Sequence, residues 1–271
     1  MKALILAAGR GSRFGELTKE RHKTLLPVAG VPLLERILQG LKEAGIKEVW
    51  IVVGYKADMI KKEFGTNYNG LKINYIYAKD WEKGNLYSLL AAKKFLKSKF
   101  ILCMSDHLFE PKIIKRLLNT NSNCAVTLAV DRTRCSPEDT KVLEHNGFIV
   151  KIGKKINPSN CVDTGFFLCS PKIFKYATEA AKKGMNELSD AIQLAAAHKD
   201  ARVVDVSGCF WADIDTKQDL EYVERVLLCS QREEEYLPIV TYRISKISMM
   251  LNDNIESQIS LNQRKDYTIS G

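Results

Sequence analysis

The chain has 271 residues, of which 45% are apolar and 27% are charged, and this composition excludes wholesale disorder. Lysine and arginine exceed aspartate and glutamate by 41 to 32, a net charge of +9 that favours anionic partners. No run approaches the eighteen apolar residues of a membrane span, and no basic stripe carries interleaved aromatics, so we expect no membrane span and no nucleic-acid partner. The seven cysteines form no CxxC pair, which favours a reducing, cytoplasmic location.

Apolar runs of strand length alternate with segments of helical period, which predicts a parallel sheet covered by helices. The predicted strands of the first half are continuous apolar runs at residues 3–8, 48–53, 73–78, 100–104 and 125–130. Leucine and isoleucine at helical spacing predict a helix that begins near Leu33 and stops at Gly45. A second helix is expected from Leu86 to Phe95 on the same grounds.

The second half of the chain changes character at Asn146-Gly147, which lies between apolar runs at 141–144 and 148–152. This dipeptide is a strong hairpin signal, so the sheet is expected to be mixed. Further elements are predicted as a strand at 162–169 and helices at 171–183, 189–198 and 219–229. The periodic pattern weakens near Tyr236, which divides the chain into a main domain, 1–235, and a basic C-terminal appendage or connector, 236–271.

A glycine-rich loop, L-A-A-G-R-G-S-R-F at residues 6–14, follows the first predicted strand. Such a turn exposes backbone N–H groups to phosphate oxygens. Phe14 stands where a dinucleotide fingerprint needs its third glycine, and the spacing does not fit a P-loop. The fixed cations Arg10 and Arg13, followed by Lys23 in K-T-L-L-P-V, instead suit a triphosphate.

The combination of L-A-A-G-x-G-x-R and K-x-L-x-P-V resembles the nucleotidyltransferases that activate phosphorylated sugars and alcohols. The resemblance implies an α/β fold of the Rossmann-like, GT-A-like kind, a three-layer sandwich with a mixed, mostly parallel sheet. It also implies a nucleotide-binding set, in which Arg13 and Lys23 are catalytic and stabilise the leaving pyrophosphate. The members of this set are Leu6, Ala7, Ala8, Gly9, Gly11, Ser12, Arg13, Lys23, Gly84, Asn85 and Ser88.

Asp106 follows an apolar strand directly, at the sheet edge where open α/β folds bind ligands. A carboxylate there suits Mg²⁺, which takes oxygen ligands, although Asp106 could instead cap a following helix. The family places a second carboxylate in W-A-D-I-D-T, which leaves Asp213 and Asp215 as equal candidates. Asp215 and Thr216 could also simply cap the helix entered at Asp219. We therefore expect Asp106 to be catalytic and Mg²⁺ to be the cofactor.

The segment W-E-K-G-N-L-Y-S lies against the base in the family, where the Asn85 amide offers a donor and an acceptor, although Asn85 could also cap its own helix. The motif C-V-D-T-G-F-F with Lys154 upstream matches the region that grips the acceptor. The expected acceptor-binding residues are His107, Lys154, Asp163, Thr164 and Gly165.

Together, G-N-x-Y-S-L-L, M-x-D-H and C-V-D-T-G-F-F look most similar to the cytidylyltransferases of inositol 1-phosphate. The expected partners are CTP and a phosphorylated small-molecule acceptor. The stretch 243–270 is similar to the connector that leads into a membrane synthase domain in those enzymes, so a C-terminal link is expected. The alternatives are an acceptor such as phosphocholine or a hexose 1-phosphate used with CTP, UTP or dTTP, and a non-catalytic module. Choline would need an aromatic cage, for which Trp81, Tyr87, Phe166 and Trp211 are candidates.

Overall fold

The structure, a computed structural model, describes residues 1–229, and Met1–Glu221 form one compact unit. The strands are β1 Lys2–Ala7, β2 Pro27–Val28, β3 Val31–Pro32, β4 Glu48–Val53, β5 Asn67–Tyr68, β6 Leu71–Tyr77, β7 Phe100–Met104, β8 His107–Phe109, β9 Val126–Asp131, β10 Lys141–His145, β11 Phe148–Gly153, β12 Cys161–Cys169, β13 Ala201–Asp205 and β14 Trp211–Asp213. The α-helices are α1 Leu17–Glu20, α2 Leu33–Glu43, α3 Ala57–Phe64, α4 Asn85–Ala91, α5 Pro111–Leu118, α6 Ile173–Lys182 and α7 Leu188–Ala197. Residues 217–229 are also helical. The predicted appendage, 236–271, lies outside the described residues.

One ten-stranded sheet organises this unit, in the order β10-β11-β13-β9-β12-β7-β1-β4-β6-β5. Strand β1 pairs in parallel with β4 and β7, whereas β12 runs antiparallel between β7 and β9. Following the pairings along the sheet, seven of the ten strands point the same way, and β5, β11 and β12 are reversed. The prediction of a mixed, mostly parallel sheet is therefore confirmed.

Both faces of the sheet are covered, because successive strand residues point to opposite sides. Leu4 and Leu6 of β1 join the buried cluster built with α4, α6 and α7. Ile5, between them, is fully buried on the other face, the side covered by α2 and α5. The three-layer arrangement expected from the sequence is confirmed, and it leaves the carboxyl ends of β1 and β7 at one edge.

Most predicted elements occur within one or two residues of their expected bounds, and the hairpin turn has positive φ at both Asn146 and Gly147. The second predicted helix is wrong at its end. Helix α4 stops at Ala91, and Phe95 lies beyond it. The Phe95 ring packs against Trp50, and 45% of the residue is exposed to solvent. Helical spacing alone did not show that the chain turns at Ala92.

Within residues 1–229, no helix combines the length and the hydropathy that crossing a bilayer demands.

The packing of β7 against α6 gives a stability prediction. Phe100 is completely buried and stacks on Phe174 of α6, with ring centroids 5.9 Å apart. Replacing Phe100 by alanine should lower the free energy of unfolding by about 3–5 kcal/mol, because it removes buried contacts and leaves a cavity. Phe95→Ala is the matched control and should cost about 1 kcal/mol or less, because Phe95 is half exposed. Urea denaturation of both variants measures the difference, and equal losses would contradict this account of the core.

Candidate active site

A cavity of about 350 Å³ opens at the carboxyl end of β1, where the glycine-rich loop leaves the sheet. Ten of the eleven residues expected to bind the nucleotide line it, the exception being Ala7: Leu6, Ala8, Gly9, Gly11, Ser12, Arg13, Lys23, Gly84, Asn85 and Ser88. Gly11 has a positive φ of 66°, and a Cβ at this position would lie 2.7 Å from Cβ of Lys23. Glycine is therefore required here, because it lets Lys23 pass directly beneath the loop.

Lys23 lies at the centre of the cavity wall and joins two carboxylates. Its Nζ atom is 2.9 Å from Oδ2 of Asp106 and 2.8 Å from Oδ1 of Asp215, and 8% of its side chain is exposed. Burial favours the neutral amine, but the two carboxylates raise the pKa of Lys23 above its ordinary value. Arg13 contacts the other oxygen of Asp215, with Nη1 2.5 Å from Oδ2. The two cations expected to hold phosphates are thus paired with acids in this structure.

A second group of acids surrounds His107, because β14 pairs with β8 and places Asp213 opposite His107. Nδ1 of His107 is 2.7 Å from Oδ1 of Asp106 and 3.8 Å from Oδ1 of Asp213. Burial disfavours the charged ring, yet Asp213 and Asp106 raise the pKa of His107 to about 9. Burial, together with Asp106 and Asp215, raises the pKa of Asp213 to about 6.

This second group has the donors of a metal site. One atom each from Asp106, His107 and Asp213 lies within 4.8 Å of the others, and Oδ1 of Asp213 is buried without a hydrogen-bond partner among the described residues. Carboxylate oxygens suit Mg²⁺, and a buried oxygen with no donor is costly unless a ligand satisfies it. The residues present therefore fit the expected metal.

The capping alternatives are decided by local geometry. Asp106 is followed by strand β8, so it caps no helix. Thr216 and Asp219 cap the helix at 217–229 reciprocally: Oδ2 of Asp219 accepts from the Thr216 N–H at 2.7 Å, and Oγ1 of Thr216 accepts from the Asp219 N–H at 3.2 Å. The Asp215 carboxylate takes no part in this cap.

The segment at Gly84 and Asn85 is fixed to α7. A Cβ on Gly84 would lie 2.3 Å from the Asn186 carbonyl oxygen, so glycine is needed here to admit backbone from the α7 side. Oδ1 of Asn85 accepts a hydrogen bond from the Leu188 N–H at 2.6 Å. Asn85 therefore caps the first turn of α7 and not its own helix, and this bond does not use its Nδ2 donor.

Three of the residues expected to bind the acceptor, Asp163, Thr164 and Gly165, lie at an irregularity in β12, where the pairing with β9 shifts between Asp163 and Phe167. Oδ1 of Asp163 accepts from the Gly165 N–H at 2.7 Å, and burial raises the pKa of this carboxyl to about 6. A Cβ on Gly165 would meet the His107 ring at 2.5 Å. Thr164 is completely buried and donates its hydroxyl to the Ala129 carbonyl. Lys154 is exposed at the end of β11.

Sequence reasoning missed several residues that line the cavity: His22, Thr24, Met104 and Ser105. His22 is 1% exposed, and its Nδ1 accepts from the Thr24 N–H, so the neutral ring carries its proton on Nε2. That Nε2 atom has no hydrogen-bond partner among residues 1–229. The only sequence feature that could have pointed to His22 is its position next to Lys23.

His22 also makes a prediction about acid stability. Burial lowers the pKa of His22 to about 4, so the unfolded chain binds its proton more tightly than the folded one. Stability from the neutral ring is complete above pH 6.5 and is lost as the pH falls towards 4. Between pH 7 and 4.5, the wild type should lose about 2–3 kcal/mol more than His22→Asn, which keeps a side-chain acceptor for Thr24. Urea denaturation of both proteins across this pH range tests the prediction. It would be refuted if the free energies of unfolding of the wild type and of His22→Asn changed equally with pH.

Comparison with known proteins agrees with this geometry. A bifunctional IPC transferase and DIPP synthase of Aquifex aeolicus is 36% identical over 233 residues, which cover 83% of this chain and 51% of that protein. The UTP–glucose-1-phosphate uridylyltransferase AglF of Haloferax volcanii is 30% identical over 202 residues, covering 72% and 83% of the two chains. This chain spans about half the length of the bifunctional relatives.

The solved structure of the inositol-1-phosphate CTP transferase from T. maritima matches with a TM-score of 0.75 and 25% identity, over 83% of this chain and 95% of that one. The resemblance inferred from the sequence motifs is thereby confirmed. A family model described as a MobA-like NTP transferase domain matches residues 3–203. The chain therefore belongs to the family of MobA-like NTP transferase domains.

Proposed function

We propose that this chain transfers a cytidylyl group from CTP to inositol 1-phosphate, giving CDP-inositol and pyrophosphate. The observation that carries the proposal is the convergence of the glycine-rich loop, Arg13, Lys23 and Asp106 on one cavity. The names of the Aquifex and T. maritima relatives support inositol 1-phosphate and CTP as the substrates. The bifunctional relatives also support a C-terminal link to a synthase domain, and a cytoplasmic location completes the proposal.

In this mechanism the loop from Gly9 to Arg13 binds the triphosphate through its backbone N–H groups. A phosphate oxygen of the acceptor attacks the α-phosphorus in line, so a new P–O bond forms while the bond to pyrophosphate breaks. The attacking oxygen is already anionic near neutral pH, and no general base is needed. Arg13 and Lys23 stabilise the charge that develops on the leaving group, so positioning and charge neutralisation carry the catalysis.

Asp106 and Asp213 are the proposed Mg²⁺ ligands, supported by the buried Oδ1 of Asp213, which has no hydrogen-bond partner among residues 1–229. Mg²⁺, when bound, supplies charge neutralisation to the phosphate oxygens. His107, fixed by Asp106, orients one of these carboxylates and faces the acceptor side.

Two aromatic residues argue against a choline acceptor. Trp211 is 5% exposed, with the Arg134 guanidinium 4.0 Å from its ring centroid and the His107 ring stacked at 6.4 Å. Phe166 is completely buried. Trp211 and Phe166 are therefore too enclosed to contribute to an aromatic cage, which leaves only the partly exposed Trp81 and Tyr87 of the four candidates and supports a polyol that hydrogen-bonds to Asp163.

The proposal predicts that Arg13→Ala, Lys23→Ala and Asp106→Ala each lower kcat by roughly 100- to 1,000-fold, because the first two remove positive charge from the reacting phosphates and the third removes a proposed Mg²⁺ ligand. Pyrophosphate release with CTP and inositol 1-phosphate measures the effect. Asp58→Ala and Lys62→Ala are matched controls, because both residues lie on α3 outside the cavity. Circular dichroism of the Lys23 variant separates loss of catalysis from loss of folding. Near-normal turnover in the three variants would overturn the mechanism.

A panel of nucleoside triphosphates and acceptors tests the substrates. The proposal expects the highest kcat/KM for CTP with inositol 1-phosphate. A preference for phosphocholine, for a hexose 1-phosphate, or for UTP or dTTP would contradict the proposed substrates, but the proposed reaction type, nucleotidyl transfer, would stand. Release with no pair would support a non-catalytic module.

Lys154 gives a separate prediction for the acceptor side. If its ammonium group meets the acceptor phosphate, Lys154→Ala should raise the KM for the acceptor roughly 10-fold and leave the KM for CTP unchanged. Lys155→Ala is the matched control, because Lys155 is the next residue and equally exposed. If Lys154→Ala and Lys155→Ala have the same KM for the acceptor, Lys154 does not bind the acceptor phosphate.

A further inference from the structure

Both oxygens of Asp215 have a cationic partner, which is also true of Asp106, but Asp215 does not belong to the group of Asp106, His107 and Asp213 that has the donors of a metal site. Oδ1 is 2.8 Å from Nζ of Lys23, and Oδ2 is 2.5 Å from Nη1 of Arg13. Asp213, two residues earlier, has the opposite character. Its Oδ1 is buried without a hydrogen-bond partner in the described part of the chain and faces Asp106 and His107.

The backbone around Asp215 is held independently of its side chain. Oδ2 of Asp219 accepts from the N–H groups of Asp215 at 3.1 Å and Thr216 at 2.7 Å. The Asp215 carboxylate is therefore not used to begin the helix at 217–229. Only 18% of this side chain is exposed, so it is fixed in the wall of the cavity, facing the two cations.

The two cations depend on Asp215 to different extents. Lys23 is almost completely enclosed and keeps Asp106 as a second partner. The Arg13 side chain is 57% exposed, and Asp215 is the acid that holds it against the cavity. Without that carboxylate, an exposed arginine gains rotamer freedom that a triphosphate would have to remove again.

We infer that Asp215 is not a metal ligand but a positioning residue, which holds Arg13 and Lys23 beneath the loop and competes with the triphosphate for both. This inference rests on the proposed function, because it takes Arg13 and Lys23 as the phosphate-binding cations. It divides the acids of W-A-D-I-D-T by role: Asp213 faces the metal site with Asp106, and Asp215 faces the cations.

Two binding measurements on the full chain distinguish this role from metal ligation. The first is the affinity of the protein–CTP complex for Mn²⁺, measured by electron paramagnetic resonance without acceptor. Asp215→Asn should change this affinity by less than about twofold, whereas Asp213→Asn should weaken it by roughly 10-fold or more. The second is calorimetric binding of CTP in the presence of EDTA. Asp215→Asn should bind CTP about 3- to 10-fold more tightly than the wild type, because removing a carboxylate that competes for two cations outweighs the rotamer entropy that Arg13 regains.

Turnover provides a third readout. Asp215→Asn should lower kcat by roughly 10- to 100-fold while the KM for CTP does not rise, because Arg13 and Lys23 are less well placed for the chemical step. Asp215→Glu keeps the charge and should recover part of the loss. Thermal unfolding of both variants shows whether the fold is retained.

The inference is overturned if Asp215→Asn weakens Mn²⁺ binding as much as Asp213→Asn does, or if CTP binding in EDTA is unchanged or weaker. Failure of the proposed function looks different. In that case the wild-type protein itself would not bind CTP or release pyrophosphate.

Discussion

The ion pairs of Lys23 with Asp106 and Asp215 connect parts of the chain that are 83 and 192 residues away from it. A nearly buried ammonium group is costly unless it is paired, and here each carboxylate is within 3 Å of it. The glycine-rich loop, the end of β7 and the segment after β14 must therefore meet at one point. Removing the lysine would leave two enclosed carboxylates without their shared cation, which makes this contact structural as well as chemical.

The surroundings of that contact are close to neutral. Arg13, Lys23 and a protonated His107 face the three carboxylates of Asp106, Asp213 and Asp215. A polyphosphate adds negative charge to the site and a divalent cation adds positive charge. The two together therefore disturb this balance less than either one alone. Under the proposed function, the arrangement would favour a nucleotide that arrives with its metal over free nucleotide.

Local sequence signals predicted the sheet, the loop and Asp106, because each depends on periodicity or on residues close in the chain. The proposed division of roles between Asp213 and Asp215 could not be predicted this way, since it depends on the pairing of β14 with β8. The same holds for Asn85, whose partner Leu188 lies 103 residues away. His22 escaped notice because no motif marks a neutral buried histidine. The features that local sequence could not predict depend on contacts between distant segments.

The attachment of Gly84 and Asn85 to the start of α7 has a thermodynamic consequence. The Asn186 carbonyl accepts from the Leu86 N–H at 3.1 Å and lies directly against Gly84, so this wall of the cavity is held by backbone contacts. A wall that is already ordered loses little conformational entropy when a base settles against it. If a base binds there as proposed, its affinity would depend mainly on fit and desolvation, and the side chains left to be ordered would be exposed ones that line the cavity, such as Arg13 and Glu82.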